Sequence, residues 1–325
     1  MACKILVAAD LDCNLNLINK KLEKFDFVLC LGKTLQNNEI LSNILTGELK
    51  LKKPIYFIDD GDLRNLLTLK FPSGGEIASN LHYLGNFGIK IIKGYTIAYF
   101  SSLEQIIPSY KSFDENRARL ARKMQLETHD EIYKKMKKNH EDLENGRPVD
   151  IFISGPTPNL IEEDETLREI KAPKSEILNK LALILQPRYH ICSGKEMYYA
   201  RKPYINYDDH LRPIHVTRLL YLASFPTIKN KSKGKYLYAF QTHNLPNLSE
   251  DKRNERPDDT TENPYLRYRE SKENDEDNNA SEIKAERLVD QDIFSRDFYQ
   301  LSEKDKEKIE NLKNIQKIYV GGFSS

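Results

Sequence analysis

The sequence predicts an α/β protein in which two mixed β-sheets pack as a sandwich with helices on the outside. Three observations on the 325-residue chain lead to this prediction. Short runs rich in Val, Ile and Phe recur along the chain, and segments with helical spacing of apolar residues lie between several of them. Other runs alternate apolar and polar residues, as antiparallel strands do. A polar stretch after the sandwich is expected to be a disordered linker.

Four short runs are expected to form buried strands, namely residues 4–9, 25–32, 54–59 and 149–154. Each run is almost continuously apolar, which is typical of strands buried on both faces of a mostly parallel sheet. Helices should cover these sheets. Leu15, Ile18 and Leu22 fall on one helical face, and residues 175–185 carry a broad apolar stripe. Ser175 is predicted to cap that second helix.

Two antiparallel strand pairs are predicted as well. Residues 89–100 alternate about Gly94, which indicates a hairpin. Residues 215–225 and 235–243 are expected to form the second pair.

Residues 104–147 are predicted to form a charged helical excursion on the surface, with narrow apolar stripes such as Ile132 with Met136. Its basic side chains could meet RNA phosphates, but interleaved acidic residues favour the interpretation as solvated helix faces. The basic residues concerned are Arg117, Arg119, Arg122, Lys123, Lys134, Lys135, Lys137 and Lys138.

The domain organisation follows from a change of composition along the chain. Residues 1–246 are expected to form one domain, residues 247–285 an acidic, Asn-rich disordered linker, and residues 286–325 a helix and strand that begin a further domain or form a truncated tail. The final "KIYVGGF" resembles the first strand of RNA-recognition domains, although an ordinary strand is favoured.

Composition excludes some classes of function. Fifty Lys and Arg residues almost cancel 49 Asp and Glu residues, so no global positive field indicates nucleic acid. The four cysteines, Cys3, Cys13, Cys30 and Cys192, form no CxxC pair and are expected to be buried thiols. Without an apolar run of about 20 residues or a secretory signal, the protein is expected to be intracellular.

Polar loops follow several of the predicted strands, in the order "ADLDCN", "LGKTL", "DDGDL", "SGPTP" and "CSGKE". A two-metal phosphoesterase site would need such loops, because about seven oxygen and nitrogen ligands must converge on two cations. The loops, together with "NLHYLGNFGIKIIKGYTIAYFSS" and "VDIFISGPTP", resemble the metallophosphoesterase domain of lariat-debranching enzymes.

A closer resemblance is to the CwfJ-type splicing-factor family, whose members are relatives of the debranching enzyme. It rests on "PRYHICSGKEMYYARKPYIN", "HVTRLLYLASF", "KGKYLYAF" and "TENPY", and it covers about residues 3–268. The resemblance implies a metallophosphoesterase-like β-sandwich. The family continues into histidine-triad-like carboxy-terminal domains, whose motifs do not occur in these 325 residues.

The resemblance also implies a degenerate metal site, because most ligand positions of the family carry other residues here. Lys33 stands where the family has a metal-bridging aspartate. Its ammonium would repel a second positive charge about 4 Å away by roughly 4 kcal/mol per unit charge at an effective dielectric of about 20. No catalytic residue, metal or cofactor is therefore expected. The positions concerned are Asp10, Asp12, Lys33, Gly61, Asp62, Gly155, Gly194 and Glu196.

Two interpretations of these loops stay open. Asp10, Asp12, Asp59, Asp60, Asp62 and Glu196 could form a rebuilt carboxylate site for one hard ion such as magnesium. Alternatively, Lys33 pairs with Asp10 or Asp12 and fills the former metal position. The ion pair is favoured.

A cluster of Arg, Tyr and His residues lies in the motifs shared with the CwfJ-type family. Arginine and tyrosine are common in interface hot spots and in RNA contacts, so a partner or RNA surface is predicted, with structural roles as the alternative. His190 is favoured as a hydrogen-bonded core residue over an acid or base at the former site. The cluster consists of Arg188, Tyr189, His190, Tyr198, Tyr199, Arg201, Tyr204, His215 and Arg218.

The resemblance implies a nuclear, non-catalytic factor in spliceosome disassembly and intron-lariat turnover that promotes lariat debranching. Its expected partners are the lariat-debranching enzyme, late spliceosomal or intron-lariat complex proteins and branched RNA. The alternative is a metal-dependent phosphodiesterase or ribonuclease with an altered ligand set.

Overall fold

The computed structural model describes residues 2–11, 14–35, 38–61, 63–101, 128–143, 147–160, 170, 172–208, 210–226 and 234–266. Within these ranges the chain forms fifteen strands. They are β1 (Cys3–Ala9), β2 (Phe27–Leu31), β3 (Ile55–Phe57), β4 (Gly75–Ala78), β5 (Leu81–Tyr83), β6 (Phe87–Ile92), β7 (Tyr95–Phe100), β8 (Ile151–Ser154), β9 (Thr157–Pro158), β10 (Lys174–Ser175), β11 (Tyr189–Lys195), β12 (Tyr199–Ala200), β13 (Tyr204–Tyr207), β14 (Pro213–Ala223) and β15 (Leu237–Thr242).

Six α-helices and two short 3₁₀ helices complete the secondary structure of the described residues. The α-helices are α1 (Leu15–Asn19), α2 (Asn38–Leu45), α3 (Arg64–Lys70), α4 (His129–Glu141), α5 (Ile177–Leu185) and α6 (Glu250–Asn254), and the 3₁₀ helices are Leu22–Lys24 and Leu245–Asn247. None of the helices in the described part of the chain is long and apolar enough to cross a membrane.

The strands form two large mixed sheets. The first sheet has the order β15-β1-β2-β3-β5-β4, and its central strands β1, β2, β3 and β5 are parallel. The second sheet has the order β12-β14-β11-β8-β7-β6, with parallel pairing from β7 to β14 and β13 added against β14. Strands β9 and β10 form a small separate ribbon.

The two sheets pack face to face, which confirms the predicted sandwich of mixed sheets. Val7 and Leu29 of the first sheet share one buried cluster with Ile97, Ile153 and Ile191 of the second. Full burial of each such aliphatic side chain contributes roughly 1.5–3 kcal/mol. Residues of α1, α2 and α3 cover the outer face of the first sheet, and residues of α4 and α5 cover that of the second.

The predicted buried strands and the first hairpin are confirmed. Strands β2, β3 and β8 lie inside their predicted runs, and β1 matches its run except that it begins one residue earlier, at Cys3. Strands β6 and β7 pair antiparallel, and the turn between them places Gly94 at φ +84°, a conformation that glycine adopts without strain.

The second predicted hairpin is wrong. Strand β14 lies in the second sheet beside β11, whereas β15 crosses to the first sheet and pairs antiparallel with β1. The alternation of apolar residues that identifies both strands is the same for either sheet, so it does not select the partner. Strand β1 would otherwise present an unpaired edge, which β15 covers.

Two helix predictions need correction. Leu15, Ile18 and Leu22 do lie together in the core, but α1 ends at Asn19 and Leu22 belongs to a 3₁₀ turn. Ser175 does not cap α5, because it lies in β10 and Glu176 occupies the cap position without a side-chain hydrogen bond.

The predicted charged excursion is described only in part. Residues 102–127 and 144–146 lie outside the described residues, and with them Arg117, Arg119, Arg122 and Lys123. Helix α4 begins with a capping box between Thr128 and Glu131, and it buries Ile132 and Met136 against the second sheet. Lys134, Lys135, Lys137 and Lys138 are exposed on this helix, as a solvated face requires.

The predicted start of the disordered linker, at residue 247, is too early in the sequence. Residues 250–254 form α6, Thr261 bridges to Tyr204, and Tyr265 is buried with its ring 5.5 Å from that of Tyr204. The ring of Tyr265 and the side chain of Asn263 dock this segment onto β13. The region is polar on average, so its composition does not indicate these two contacts. Residues 267–325, and with them the predicted tail, lie outside the described residues.

The prediction that the cysteines are buried thiols can be compared with the structure for three of the four cysteines, and it holds. Cys30 and Cys192 are buried free thiols, and Cys3 is partly buried. Cys13 lies outside the described residues.

Candidate functional site

The carboxyl ends of parallel strands from both sheets meet at one end of the sandwich. Asp10 follows β1, Lys33 follows β2 and Asp59 follows β3 in the first sheet. From the second sheet, Ser193 and Ser224 at the ends of β11 and β14 donate hydrogen bonds to Asp10. The loops singled out from the sequence therefore converge, because parallel strands direct their carboxyl ends to the same edge.

Asp10 is the centre of the first half of this site. Its side chain is 5% exposed, and its carboxylate accepts four hydrogen bonds. Oδ1 accepts the Lys33 backbone N–H at 2.8 Å and the Lys195 ammonium at 3.2 Å. Oδ2 accepts the hydroxyls of Ser193 at 2.5 Å and Ser224 at 2.8 Å. A carboxylate offers about four lone-pair positions, so these donors use the whole acceptor capacity of Asp10.

The surroundings keep Asp10 ionised. Burial by itself raises the pKa of the carboxyl, but the Lys195 ammonium and the hydrogen bonds from Ser193, Lys33 and Ser224 outweigh burial and lower the pKa below its usual value. Asp10 has φ 44°, and a Cβ at Gly32 would lie 2.2 Å from its Oδ1. Glycine at position 32 is therefore required for the close approach of the two loops.

The predicted ion pair involves a different lysine. Lys33 contacts Asp10 through its backbone N–H, and its side chain is exposed to solvent. The ammonium that pairs with Asp10 belongs to Lys195, which is partly buried. A cation does lie beside Asp10, but Lys33 does not supply it, so the predicted pair of Lys33 with Asp10 is wrong. The alternative pair of Lys33 with Asp12 lies outside the described residues.

Asp59 and Asp60 form the second half of the site. Asp59 is fully buried, and its carboxylate accepts backbone N–H groups of Thr34, Leu35 and Gly61. Burial raises the pKa of Asp59 to about 7, with a smaller contribution from Asp60, although the backbone hydrogen bonds lower it. Asp60 Oδ1 accepts the hydroxyl of Ser101 at 2.9 Å.

Gly155 lies against Asp60. A Cβ at Gly155 would be 1.5 Å from Asp60 Oδ2, so the carboxylate fills the space that a side chain at position 155 would need. Asp60 in this position and a side chain at residue 155 therefore exclude each other.

Arg64 is the second cation of the site. It is 1% exposed, and none of its three guanidinium nitrogens has a hydrogen-bond partner among the described residues. Burial lowers the pKa of Arg64, whereas the charges of Asp60 and Asp59 and the Tyr83 hydroxyl act in the opposite direction. The buried guanidinium thus interacts electrostatically with both carboxylates of this half of the site.

The remaining predicted positions do not complete a metal centre in the described residues. Asp12 and Asp62 lie outside those residues, and Glu196 is exposed. A Cβ at Gly194 would lie 2.4 Å from the Met197 carbonyl oxygen, so the loop there leaves no room for a side chain. No group of three or more His, Cys, Asp or Glu side chains in the described ranges is arranged to hold a metal ion. The donors that are present do not fit a two-metal centre, because Asp10 is saturated and Lys195 and Arg64 are cationic.

His190 is a core residue, as favoured from the sequence. It is fully buried and stacks on Phe152 with ring centroids 4.5 Å apart. The Ser154 hydroxyl donates to the Pro156 carbonyl, so His190 Nε2 must donate to Ser154 Oγ, 3.1 Å away. Burial lowers the pKa of His190 to about 3, so the side chain is neutral near neutral pH.

Five of the nine residues predicted as a partner or RNA surface are buried, which corrects that prediction for them. All five make hydrogen-bonded or aromatic contacts with neighbouring residues. Arg188, Tyr198, Tyr199 and Arg218 are partly exposed. The buried residues are Tyr189, His190, Arg201, Tyr204 and His215.

Arg201 and His215 show what these buried side chains do. Arg201 donates to the Lys202 carbonyl and to Thr261 Oγ1, which fixes the docked segment described above. His215 Nε2 bonds to the Gln186 carbonyl oxygen at 2.6 Å. Burial lowers the pKa of His215 to about 4 although the hydrogen bond to Gln186 raises it.

Sequence reasoning missed four residues of the site, namely Lys195, Arg64, Ser193 and Ser224. Lys195 and Ser193 flank Gly194 in the same loop that was singled out, so a search for cations beside each lost ligand would have found Lys195. Ser224 and Arg64 carry no such signal in the sequence.

Comparisons with known proteins give a consistent set of relatives. The chain is 28% identical over 260 residues to the human protein described as CWF19-like protein 1, covering 76% of this chain and 44% of that protein. It is 27% identical to a CWF19-like protein 1 homolog of Caenorhabditis elegans, covering 81% of this chain and 48% of the relative. A third relative, zinc finger CCCH domain-containing protein 64 of Arabidopsis thaliana, is 24% identical over 82% of this chain.

The match extends over part of each relative. The chain spans less than half the length of these curated relatives. It matches no protein-family model.

Proposed function

Because the chain belongs to the CwfJ-type family of CWF19-like proteins, we propose that it is a splicing-related factor that acts without a metal centre of its own. In this proposal it works in the nucleus, in spliceosome disassembly and intron-lariat turnover. It promotes lariat debranching through association with the debranching enzyme and with proteins of the late spliceosome or the intron-lariat complex.

One observation carries the non-catalytic part of the proposal. The Asp10 carboxylate already holds four donors, one of them the Lys195 ammonium at 3.2 Å. A metal ion at this position would have to displace an ion pair and at least one hydroxyl, and it would then face the displaced positive charge. Metal-dependent hydrolysis by this domain is therefore disfavoured.

The second candidate function is a phosphodiesterase with an altered ligand set. It is favoured by the two adjacent carboxylates Asp59 and Asp60, which lie at the same end of the sandwich as Asp10. The saturation of Asp59 by three backbone N–H groups weakens this candidate.

The metal-free proposal predicts the outcome of a titration. The purified 325-residue chain should bind no stoichiometric Mn²⁺ or Zn²⁺ in isothermal titration calorimetry and should not hydrolyse bis(p-nitrophenyl) phosphate. Lys33→Asp should remain inactive, because Lys195 still occupies Asp10 and the histidine ligands of the family are still missing. The mutant Lys195→Ala, which frees one acceptor position on Asp10 Oδ1 and leaves the Lys33 N–H in place, serves as the matched control for weak ion binding.

Tight binding of two ions per chain by the unmodified protein, with hydrolysis that depends on them, would reject the non-catalytic proposal. If the protein bound an ion through Asp59 and Asp60 but hydrolysed no substrate, only the proposal of a metal-free site would be rejected.

The partner proposal predicts the result of a pull-down from nuclear extract. The tagged chain should retain the debranching enzyme both before and after ribonuclease treatment, because the association is proposed to be through protein contacts. Loss of the enzyme on ribonuclease treatment would contradict direct association and would indicate an RNA bridge.

A further inference from the structure

The open side of the sandwich between β15 and β14 carries aromatic and cationic side chains that the site at the strand ends does not use. Strand β15 is an edge of the first sheet, and β14 lies next to the edge of the second. Five residues, called here the sandwich mouth, lie at the margin between the facing sheets, one of them buried and four of them partly exposed. They are Tyr189, Tyr198, Arg218, Tyr238 and Phe240.

The register explains why these side chains meet. Tyr238 and Phe240 pair with Val7 and Ile5 of β1, whose side chains lie in the buried cluster between the sheets. They therefore face the second sheet from the edge of the first. On the opposite side, Arg218 pairs with Tyr189 across β14 and β11 and lies on the same face. The mouth is the partly exposed margin of the central core.

The rings and cations are in contact. The ring centroids of Tyr189 and Phe240 are 4.7 Å apart, and those of Tyr238 and Phe240 are 5.4 Å apart. The Arg218 guanidinium lies 6.0 Å from the Tyr189 ring centroid, and Lys235 Nζ lies 5.1 Å from that of Tyr198. Burial raises the pKa of Tyr238, with further contributions from the Tyr189 and Tyr198 hydroxyls and an opposing one from Arg218, so these polar groups converge.

Charge complementarity favours a polyanion as the ligand. The strands β11, β14 and β15 contain no Asp or Glu, whereas Arg218 and the neighbouring Arg188 and Lys235 are cationic. Arg188 is held in place by hydrogen bonds to Thr242 Oγ1 and the His243 carbonyl, and it lies 5.4 Å from the Tyr189 ring. Aromatic rings beside arginines bind unpaired bases by stacking and phosphates by charge.

We propose that the sandwich mouth binds single-stranded RNA, with bases stacked on the rings of Tyr198, Tyr238 and Phe240 and phosphates held by Arg218 and Lys235. This proposal assigns RNA contact to a defined surface of the proposed splicing factor. It rests on the proposed splicing role only for the source of the RNA in the cell. Paired bases do not reach these rings, so duplex RNA binds more weakly.

Fluorescence anisotropy with the full 325-residue chain and a fluorescein-labelled 12-nucleotide oligouridylate tests the proposal. Tyr238→Ala should weaken binding about tenfold or more, since loss of a stacked base typically costs roughly 5- to 150-fold. Tyr238→Phe keeps the ring and should bind within about twofold of the unmodified chain. Because loss of the Tyr238 ring could disturb folding, Arg218→Gln is the second variant. It should weaken binding roughly threefold to tenfold and reduce the slope of log K against log salt by about 0.7.

The matched control is Lys134→Gln on α4, which removes an exposed cation from the helix that covers the outer face of the second sheet and should leave binding unchanged. An equal loss in Lys134→Gln and Arg218→Gln, equal affinity for a 12-base-pair duplex, or no binding by the unmodified chain would each overturn the proposal. If mouth variants lost the debranching enzyme in ribonuclease-treated pull-downs but bound RNA normally, the mouth would be a protein interface. Failure of the pull-down with normal oligonucleotide binding would instead remove only the partner proposal.

Discussion

Replacement of Asp10 by alanine is expected to lower the free energy of unfolding by about 3 to 5 kcal/mol, the range for removing one partner of a buried ion pair. The loss would leave the hydroxyls of Ser193 and Ser224 and the Lys195 ammonium without their acceptor. Alanine at φ 44° adds backbone strain that aspartate and asparagine tolerate better. Chemical denaturation of the variant and the unmodified chain measures the difference.

Asp10→Asn is the matched control, because it keeps one acceptor oxygen and tolerates the same backbone conformation. It should lose less stability than Asp10→Ala. An Asp10→Ala variant as stable as the unmodified chain would show that the carboxylate does not hold the two sheets together at this end.

The stability difference between the unmodified chain and Asp10→Asn is expected to depend on pH. The folded-state pKa of Asp10 lies below its unfolded value of about 3.9. The unfolded chain therefore takes up a proton first, so the stabilisation by the carboxylate is fully present above about pH 4 and is lost as the pH falls through the lower folded-state pKa. The stability difference between the unmodified chain and Asp10→Asn should accordingly be constant near neutral pH and shrink in acid.

Gly155→Ala is expected to lower the free energy of unfolding by about 1 to 3 kcal/mol, the range for overpacking a filled interior. The new methyl group would lie 1.5 Å from Asp60 Oδ2, and Asp60 is held by the hydroxyl of Ser101. The carboxylate must therefore leave its hydrogen bond or the loop after β8 must move. Thermal and chemical denaturation report the loss.

A double-mutant cycle identifies the cause of that loss. In an Asp60→Ala background, Gly155→Ala should cost at least 1 kcal/mol less than in the unmodified chain, a coupling of roughly the size seen for residues in contact. Gly47→Ala controls for glycine replacement alone, because nothing lies near its Cβ position and only its φ of +79° opposes alanine. Additive effects of Asp60→Ala and Gly155→Ala would contradict the steric explanation.

Much of the sandwich could be predicted because its central strands are nearly pure apolar runs. Strand β1 and strand β8 are buried along almost their whole length, so their sequences leave few alternatives. The edge strands carry less information. Strand β15 alternates between partly buried and exposed residues, and a period of two identifies a strand without naming its neighbour.

The chemistry of the site could be predicted in kind but not in detail. The presence of a cation near Asp10 could be expected from the lysines in these loops, although the sequence favours Lys33 over Lys195. Which lysine reaches Asp10 depends on the loop after β11, where Lys195 adopts φ 57° and directs its ammonium inward. The burial of Arg64 depends on the packing of α3 against the sandwich, which no local pattern encodes.

The pairing of β1 with β15 has a consequence for synthesis of the chain. β1 (Cys3–Ala9) leaves the ribosome before its partner Leu237–Thr242, which emerges only after the intervening part of the domain has been translated. Until then one side of β1 keeps free backbone N–H and C=O groups that another polypeptide could pair with. Completion of the first sheet is thus a late, long-range closure in the life of each nascent molecule.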